Sequence, residues 1–218
     1  MLNKTQIAIM LDLQNKMNTK VNPDWLNAGY AYLRAAMIES VEAIEHHGWK
    51  WWKAQQLDLA QVQMELVDIW HFALSHILIE HNGNIPNASS QIEHALTLTN
   101  TDVTFDGQSF DLTTQTLVEN LELMAGLCVV KRFDVKLFTT IVEQAHMTST
   151  SLFEQYVGKN VLNFFRQDHG YKEGTYIKMW GGREDNEHLV DIMQTLDSSN
   201  QDYANSLYQA LEERYKRA

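Results

Sequence analysis

Residues 59–81 read LAQVQMELVDIWHFALSHILIEH, with apolar side chains at Val62, Leu66, Ile69, Ala73 and Ile77. That i, i+3, i+4 recurrence is helical and not alternating, so the spacing predicts a helix from near Asp58 to about His81. Glu65 and Asp68 sit three apart within it and share one face. Upstream, AGYAYLRAAMIESVEAIEHH (28–47) predicts a second helix terminated by Gly48, with Glu39, Glu42 and Glu45 again three apart. Asn22, Pro23 and Asp24 form a turn and cap before it. Ile7, Met10, Leu11, Leu13 and Met17 predict a first helix.

Between the two acidic helices lies an aromatic, basic knot, WKWWK at 49–53. Beyond the turn-rich NGNIPNASS, residues 83–111 are poor in apolar periodicity and rich in Asn, Gly, Ser, Thr and Asp. They read as a loop or lid outside the core, with one short helix near Gln91 to Leu98. Helical patterning resumes over 112–132 and 134–160, the two separated at Phe133 and Asp134, with Asp134 as a cap. Residues 161–184 read as a short helix and a glycine-punctuated loop, and a final helical pair covers 185–196 and 200–217. The expectation is an all-α bundle forming one domain over 1–218, with an insertion around 83–111.

Composition agrees with long helices: the 218 residues include only two prolines and ten glycines. No run approaches the roughly 20 apolar residues of a membrane-spanning helix, and the opening MLNKTQIAIMLDLQNK turns polar too early for a secretory signal. A cytoplasmic protein without membrane contact is expected. The single cysteine, Cys128, lies in LELMAGLCVV and reads as a buried thiol, leaving no disulfide framework or zinc–cysteine site. A net charge of -11 argues against general nucleic-acid binding. Yet Lys159, Arg166, Lys172, Lys178 and Arg183 face only Asp168 and Glu173 over 159–183, a local +3 that suggests an anion site.

E-x-x-E spacing is common on solvated helix surfaces, and a helical interaction module with surface acids is one reading. The flanks argue otherwise. Met37, Ile38, Val41 and Ile44 surround Glu39 and Glu42, while Met64, Leu66, Val67, Ile69 and Trp70 surround Glu65 and Asp68. Carboxylates in apolar surroundings repel one another and lose hydration unless a cation neutralises them. An all-oxygen ligand set favours Mg²⁺ over zinc, with phosphate chemistry as its use. No Walker-type phosphate loop is present: Gly158-Lys159-Asn160 lacks the upstream glycine and the hydroxyl residue. A rival metal reading pairs Asp68 with His71 and Glu143 with His146, with Glu42 and Glu119 as upstream partners, the grammar of a carboxylate-bridged di-iron bundle.

Together these motifs resemble the dimeric all-α dUTPases, relatives of the all-α nucleoside triphosphate pyrophosphatases. E-S-V-E (39–42) is similar to the family's first acidic motif, W-K-W-W-K to the knot after it and E-L-V-D-I-W-H-F (65–72) to its second. G-K-N-V-L-N-F-F-R-Q-D-H-G-Y-K-E-G-T-Y (158–176) and E-D-N (184–186) are similar to its phosphate-binding motifs. The resemblance implies a homodimer hydrolysing dUTP, and dUDP, to dUMP by attack of water on the β-phosphorus. Glu39, Glu42, Glu65 and Asp68 would hold Mg²⁺, with Mn²⁺ able to substitute, and Glu42 would activate the water. It further implies Gln14 and Asn18 at uracil, Trp51 walling the base, and His71 and Phe72 near the deoxyribose. Lys159, Asn163, Arg166, Tyr171, Lys178 and Asn186 are the implied phosphate and base contacts. A related pyrophosphatase preferring dCTP or another deoxynucleotide would share the metal site. The seven other histidines, His46 and His188 among them, show no site spacing and are expected in structural or surface roles.

Overall fold

The computed structural model describes residues 2–197 and 202–216. Nine helices and two small hairpins make up the described residues, and the all-α expectation holds. The first helix, α1 (Lys4–Val21), opens on a capping box between Asn3 and Gln6. The second, α2 (Tyr32–His47), starts four residues later than the sequence pattern suggests. Gly29 lies at φ +68, outside helical space, so the chain turns through Asn22–Asn27 and enters the helix only after it. The predicted stop at Gly48 is kept.

The long helix α3 (Leu59–Glu80) matches its expected bounds, with Asp58 capping the Gln61 N–H. Its Trp70 stacks on Phe138 with ring centroids 4.8 Å apart. Around it the chain departs from expectation. Residues 85–97 form α4 (Ile85–Thr97), capped by Asn84, with Ala88, Ile92 and Leu96 buried in the core. The segment read as outside the core thus contributes to it, because Ala88, Ile92 and Leu96 fall on one helical face that its polar composition hides. A hairpin follows, β1 (Asp102–Phe105) and β2 (Gln108–Asp111), turning at Asp106 and Gly107, both at positive φ.

Downstream come α5 (Leu117–Val129) and α6 (Val135–Gln144), with Asp134 capping the latter as expected. The predicted continuous helix over 134–160 is broken: His146 sits at φ 54, and Thr148 caps a new helix, α7 (Ser149–Asp168). That helix runs on through 161–168, where a separate short helix was expected. A tight pair, β3 (Met179–Trp180) and β4 (Arg183–Glu184), precedes α8 (Asp185–Met193), and α9 (Tyr203–Tyr215) follows. Residues 200, 201 and 217 of the expected last helix lie outside the described residues.

Two apolar cores result. The larger spans α1 to the start of α7, and includes Cys128 as a buried thiol pushed up to about 12 by its burial. The smaller gathers Val161, Leu162 and Phe165 from α7 with Trp180, Leu189, Ile192, Leu207 and Leu211. Helix α2 packs on α3 and α5, while α7 lies against α1, α3, α8 and α9 and joins the two cores. No helix among the described residues is long and apolar enough to cross a membrane.

Candidate active site

The packing of α2 on α3 turns their acidic faces toward each other, and Glu39, Glu42 and Glu65 offer oxygens all within 4.8 Å of one another. Burial, then the charges of Asp68, Glu65 and Glu42, push the Glu39 carboxyl up to about 8. Glu65 is pushed up to about 7 by burial and by Asp68, with Lys159 pulling the other way. Three crowded carboxylates, two of them, Glu39 and Glu65, holding their protons in this way, are a donor set for a hard cation: all oxygen, mutually repulsive, and partly dry. Asp68 stands beside them, its Oδ2 3.0 Å from Lys159 Nζ.

Two corrections concern this cluster. Glu45, third in the acidic row, points away and accepts from Trp49 Nε1 (2.6 Å) and Lys50 Nζ (2.8 Å). Ile38 and Val41 are exposed, so the apolar flanks on α2 that pointed to burial enclose the acids on one side only. In place of Glu45 comes His46, whose Nε2 lies 3.5 Å from Glu65 Oε1. The 39–42–46 spacing puts it on the same helical face, a signal present in the sequence and not used.

Next to the cluster, a cavity of about 570 Å³ opens between α1, α3 and α7. It is lined by Gln14 and Asn18, by Asp68, His71 and Phe72, and by Asn163, Arg166 and Tyr171, all expected at the site. Tyr30 and Tyr32 also line it, and no motif marked them. His71 is buried and neutral, held down to about 3 by burial and by the nearby Lys159 charge. Its ring stacks on Tyr156 at 4.1 Å. A second cavity, of about 530 Å³, continues the groove between α3 and α7 on the far side of Lys159, against α8.

The basic segment divides sharply. Lys159 and Arg166 face the site, whereas Lys172 Nζ donates to the Val21 carbonyl at 3.0 Å and Arg183 pairs with Asp191 at 2.8 Å. Lys178 is bound to Glu184 at 2.9 Å and does not line the cavity. Asn186 sits behind Arg166, its Oδ1 accepting from Nη2 at 3.3 Å. Trp51 is 87% exposed, its ring edge on Trp52, and does not reach the cavity in this chain. A turn with few neighbours cannot seat three indoles at once.

Arg166 is fixed by a residue that sequence reasoning did not single out. Asp185, fully buried, accepts from Arg166 Nε at 2.8 Å and Nη2 at 2.9 Å, and from the Tyr176 hydroxyl at 2.8 Å. These bonds outweigh burial and hold its carboxyl below the ordinary range. The one sign of it was its place in E-D-N. The di-iron reading does not assemble: Glu119 closes a capping box with Thr116, and Glu143 and His146 line a separate cavity beside Leu2 and Met147.

Comparison with curated proteins found no match. The family model described as dUTPase matches residues 6–171, a stretch that runs from the first turn of α1 through α7 and holds every side chain named as lining the cavity between α1, α3 and α7. The chain belongs to the dUTPase family.

Proposed function

We propose that the protein hydrolyses dUTP to dUMP and pyrophosphate, and dUDP to dUMP and phosphate, with Mg²⁺ held by Glu39, Glu42, Glu65 and Asp68. The observation that carries this reading is the meeting of three carboxylates within 4.8 Å next to a nucleoside-sized cavity lined by Asp68, with Lys159 paired to that aspartate. Bound there, the ion neutralises the acids and screens the phosphate charge, and Mn²⁺ offers the same oxygen preference. Glu42, the exposed member of the three, orients the attacking water and takes its proton. The water oxygen bonds to the β-phosphorus as its bond to the bridging oxygen breaks, and dUMP departs with that oxygen. Lys159 and Arg166 oppose the phosphate charge. Phe72 at the cavity wall supplies the bulk that rejects a 2′-hydroxyl.

Hydrolysis in ¹⁸O-water tests this directly. Label must appear in pyrophosphate and not in dUMP, and a rate on dCTP or dTTP equal to that on dUTP would end the uracil assignment. We also infer a homodimer. Ile38 and Val41 on α2, with Trp51, Trp52 and Leu57 nearby in sequence, leave apolar surface exposed of the kind that a second copy covers. Sedimentation of Ile38→Glu alongside the parent protein checks it, since an unchanged oligomer would remove that surface from consideration.

A further inference from the structure

Beneath the cavity floor, a run of polar side chains has a direction. Gln14 Oε1 accepts from the Tyr156 hydroxyl at 2.7 Å and faces His71 Nδ1 at 2.8 Å. Gln14 Nε2 donates to Asn18 Oδ1 at 3.0 Å, Asn18 Nδ2 to Ser75 Oγ at 3.0 Å, and Ser75 Oγ to the His71 carbonyl at 3.0 Å. Tyr156 is fully buried, and its one hydroxyl hydrogen is shared between two acceptors, the Gln14 amide oxygen and the Met10 carbonyl 3.0 Å away. A neutral imidazole carries one hydrogen. If Gln14 presents its carbonyl to Nδ1, that hydrogen is on Nδ1 and Nε2 keeps a lone pair. His71 Nε2 is buried and has no hydrogen-bond partner among the described residues, although the ring lines the cavity.

We propose that Tyr156 is a positioning residue that fixes the Gln14 amide and, through it, the Nδ1–H tautomer of His71, so that the cavity accepts a hydrogen-bond donor from the nucleoside at Nε2. This rests on the nucleotide reading above for the identity of the ligand, but not for the tautomer. A pyrimidine deoxynucleotide has two donors to offer, the base N3–H and the sugar 3′-hydroxyl. Without the Tyr156 hydroxyl the amide is free to turn over, Asn18 and Ser75 can follow it, and Nε2 becomes the donor. That reversed network leaves two donors facing each other where the ligand brings the base N–H, and a sugar hydroxyl there must turn to accept instead of donate.

The test is the ¹⁵N spectrum of the histidine rings of the full-length protein, with His71 assigned by its loss in His71→Gln. The parent should show a protonated Nδ1 and an unprotonated Nε2, and Tyr156→Phe should show both tautomers or the reverse one. A protonated Nε2 in the parent overturns the proposal whatever Tyr156→Phe shows. So does a Tyr156→Phe protein that keeps the parent tautomer. The ligand arm compares dUTP with N3-methyl-dUTP and 2′,3′-dideoxyuridine triphosphate. One analogue should raise KM about tenfold in the parent, with that penalty shrinking toward none in Tyr156→Phe while kcat changes little. If neither analogue is penalised, no donor is taken at Nε2 and the proposal fails. Absence of dUTP turnover alongside the expected tautomer would instead refute the proposed activity and leave the positioning role standing.

Discussion

Glu65→Gln should stabilise the metal-free protein at pH 8 while nearly abolishing hydrolysis. Its carboxyl is pushed from 4.5 to about 7, so the folded state favours the protonated acid. The sign follows from linkage: the contribution to stability is complete below 4.5 and is lost as pH rises through about 7. Unscreened, that displacement is worth about 3 kcal/mol at 1.36 kcal/mol per factor of ten. Water reaches the cluster from the Glu42 side, and halving for screening leaves about 1.5 kcal/mol. An amide of the same shape removes the charge and can donate to Glu39. For a chain of this length the melting temperature in EDTA at pH 8 should rise by roughly 3–6 °C. At pH 5 the two proteins should melt within about 1 °C of each other, since little of the titration has yet occurred. Calorimetry with and without Mg²⁺ measures both effects, and the ion should raise the parent more than the variant. A variant that melts below the parent in EDTA at pH 8, or gains as much from Mg²⁺, would refute the crowded-carboxylate account.

Asp185→Ala should lower stability by about 3–5 kcal/mol, because it leaves a largely buried guanidinium without its bidentate partner; chemical denaturation reads this, and KM for dUTP should rise as Arg166 loosens. Cys128→Ser places a hydroxyl in an apolar core and should cost about 1–3 kcal/mol with unchanged kcat, by denaturation and steady-state assay. Gly107→Ala imposes a left-handed conformation on alanine in the β1–β2 turn and should cost about 1 kcal/mol, with activity unaltered.

Much of the bundle was legible because α3 and α1 carry their own periodicity and their own caps. Where the reading failed, the deciding force was local backbone geometry or tertiary contact. Gly29 shortened α2, and the Thr148 cap divided a run whose one glycine, Gly158, lies ten residues beyond the break. Asp106-Gly107 was a hairpin signal overlooked within a polar stretch. At the site, Glu39, Glu42, Glu65 and Asp68 could be found because acids among apolar residues need an explanation. Tyr156 and Ser75 could not, since their roles depend on which amide atom each one meets across helices distant in sequence. The five basic residues of 159–183 looked alike in the sequence; only the fold separates them, pairing Lys178 and Arg183 with acids away from the cavity and tying Lys172 to a main-chain carbonyl while Lys159 and Arg166 face the site.

The two apolar cores meet along α7, and the site straddles that seam. Carboxylates stand on elements of the larger core, whereas Arg166 takes its orientation from Asp185 on the first turn of α8, in the smaller one. Partial melting of the smaller core would therefore release the anion grip without disturbing the acids. Capture and release at the site can then be governed by the cohesion of about ten buried side chains that stand outside the cavity holding Arg166. Substitutions among Leu189, Leu207 and Leu211 would act as a dial on turnover from outside the site, and amide exchange in α8 and α9 would track it more faithfully than exchange in α3.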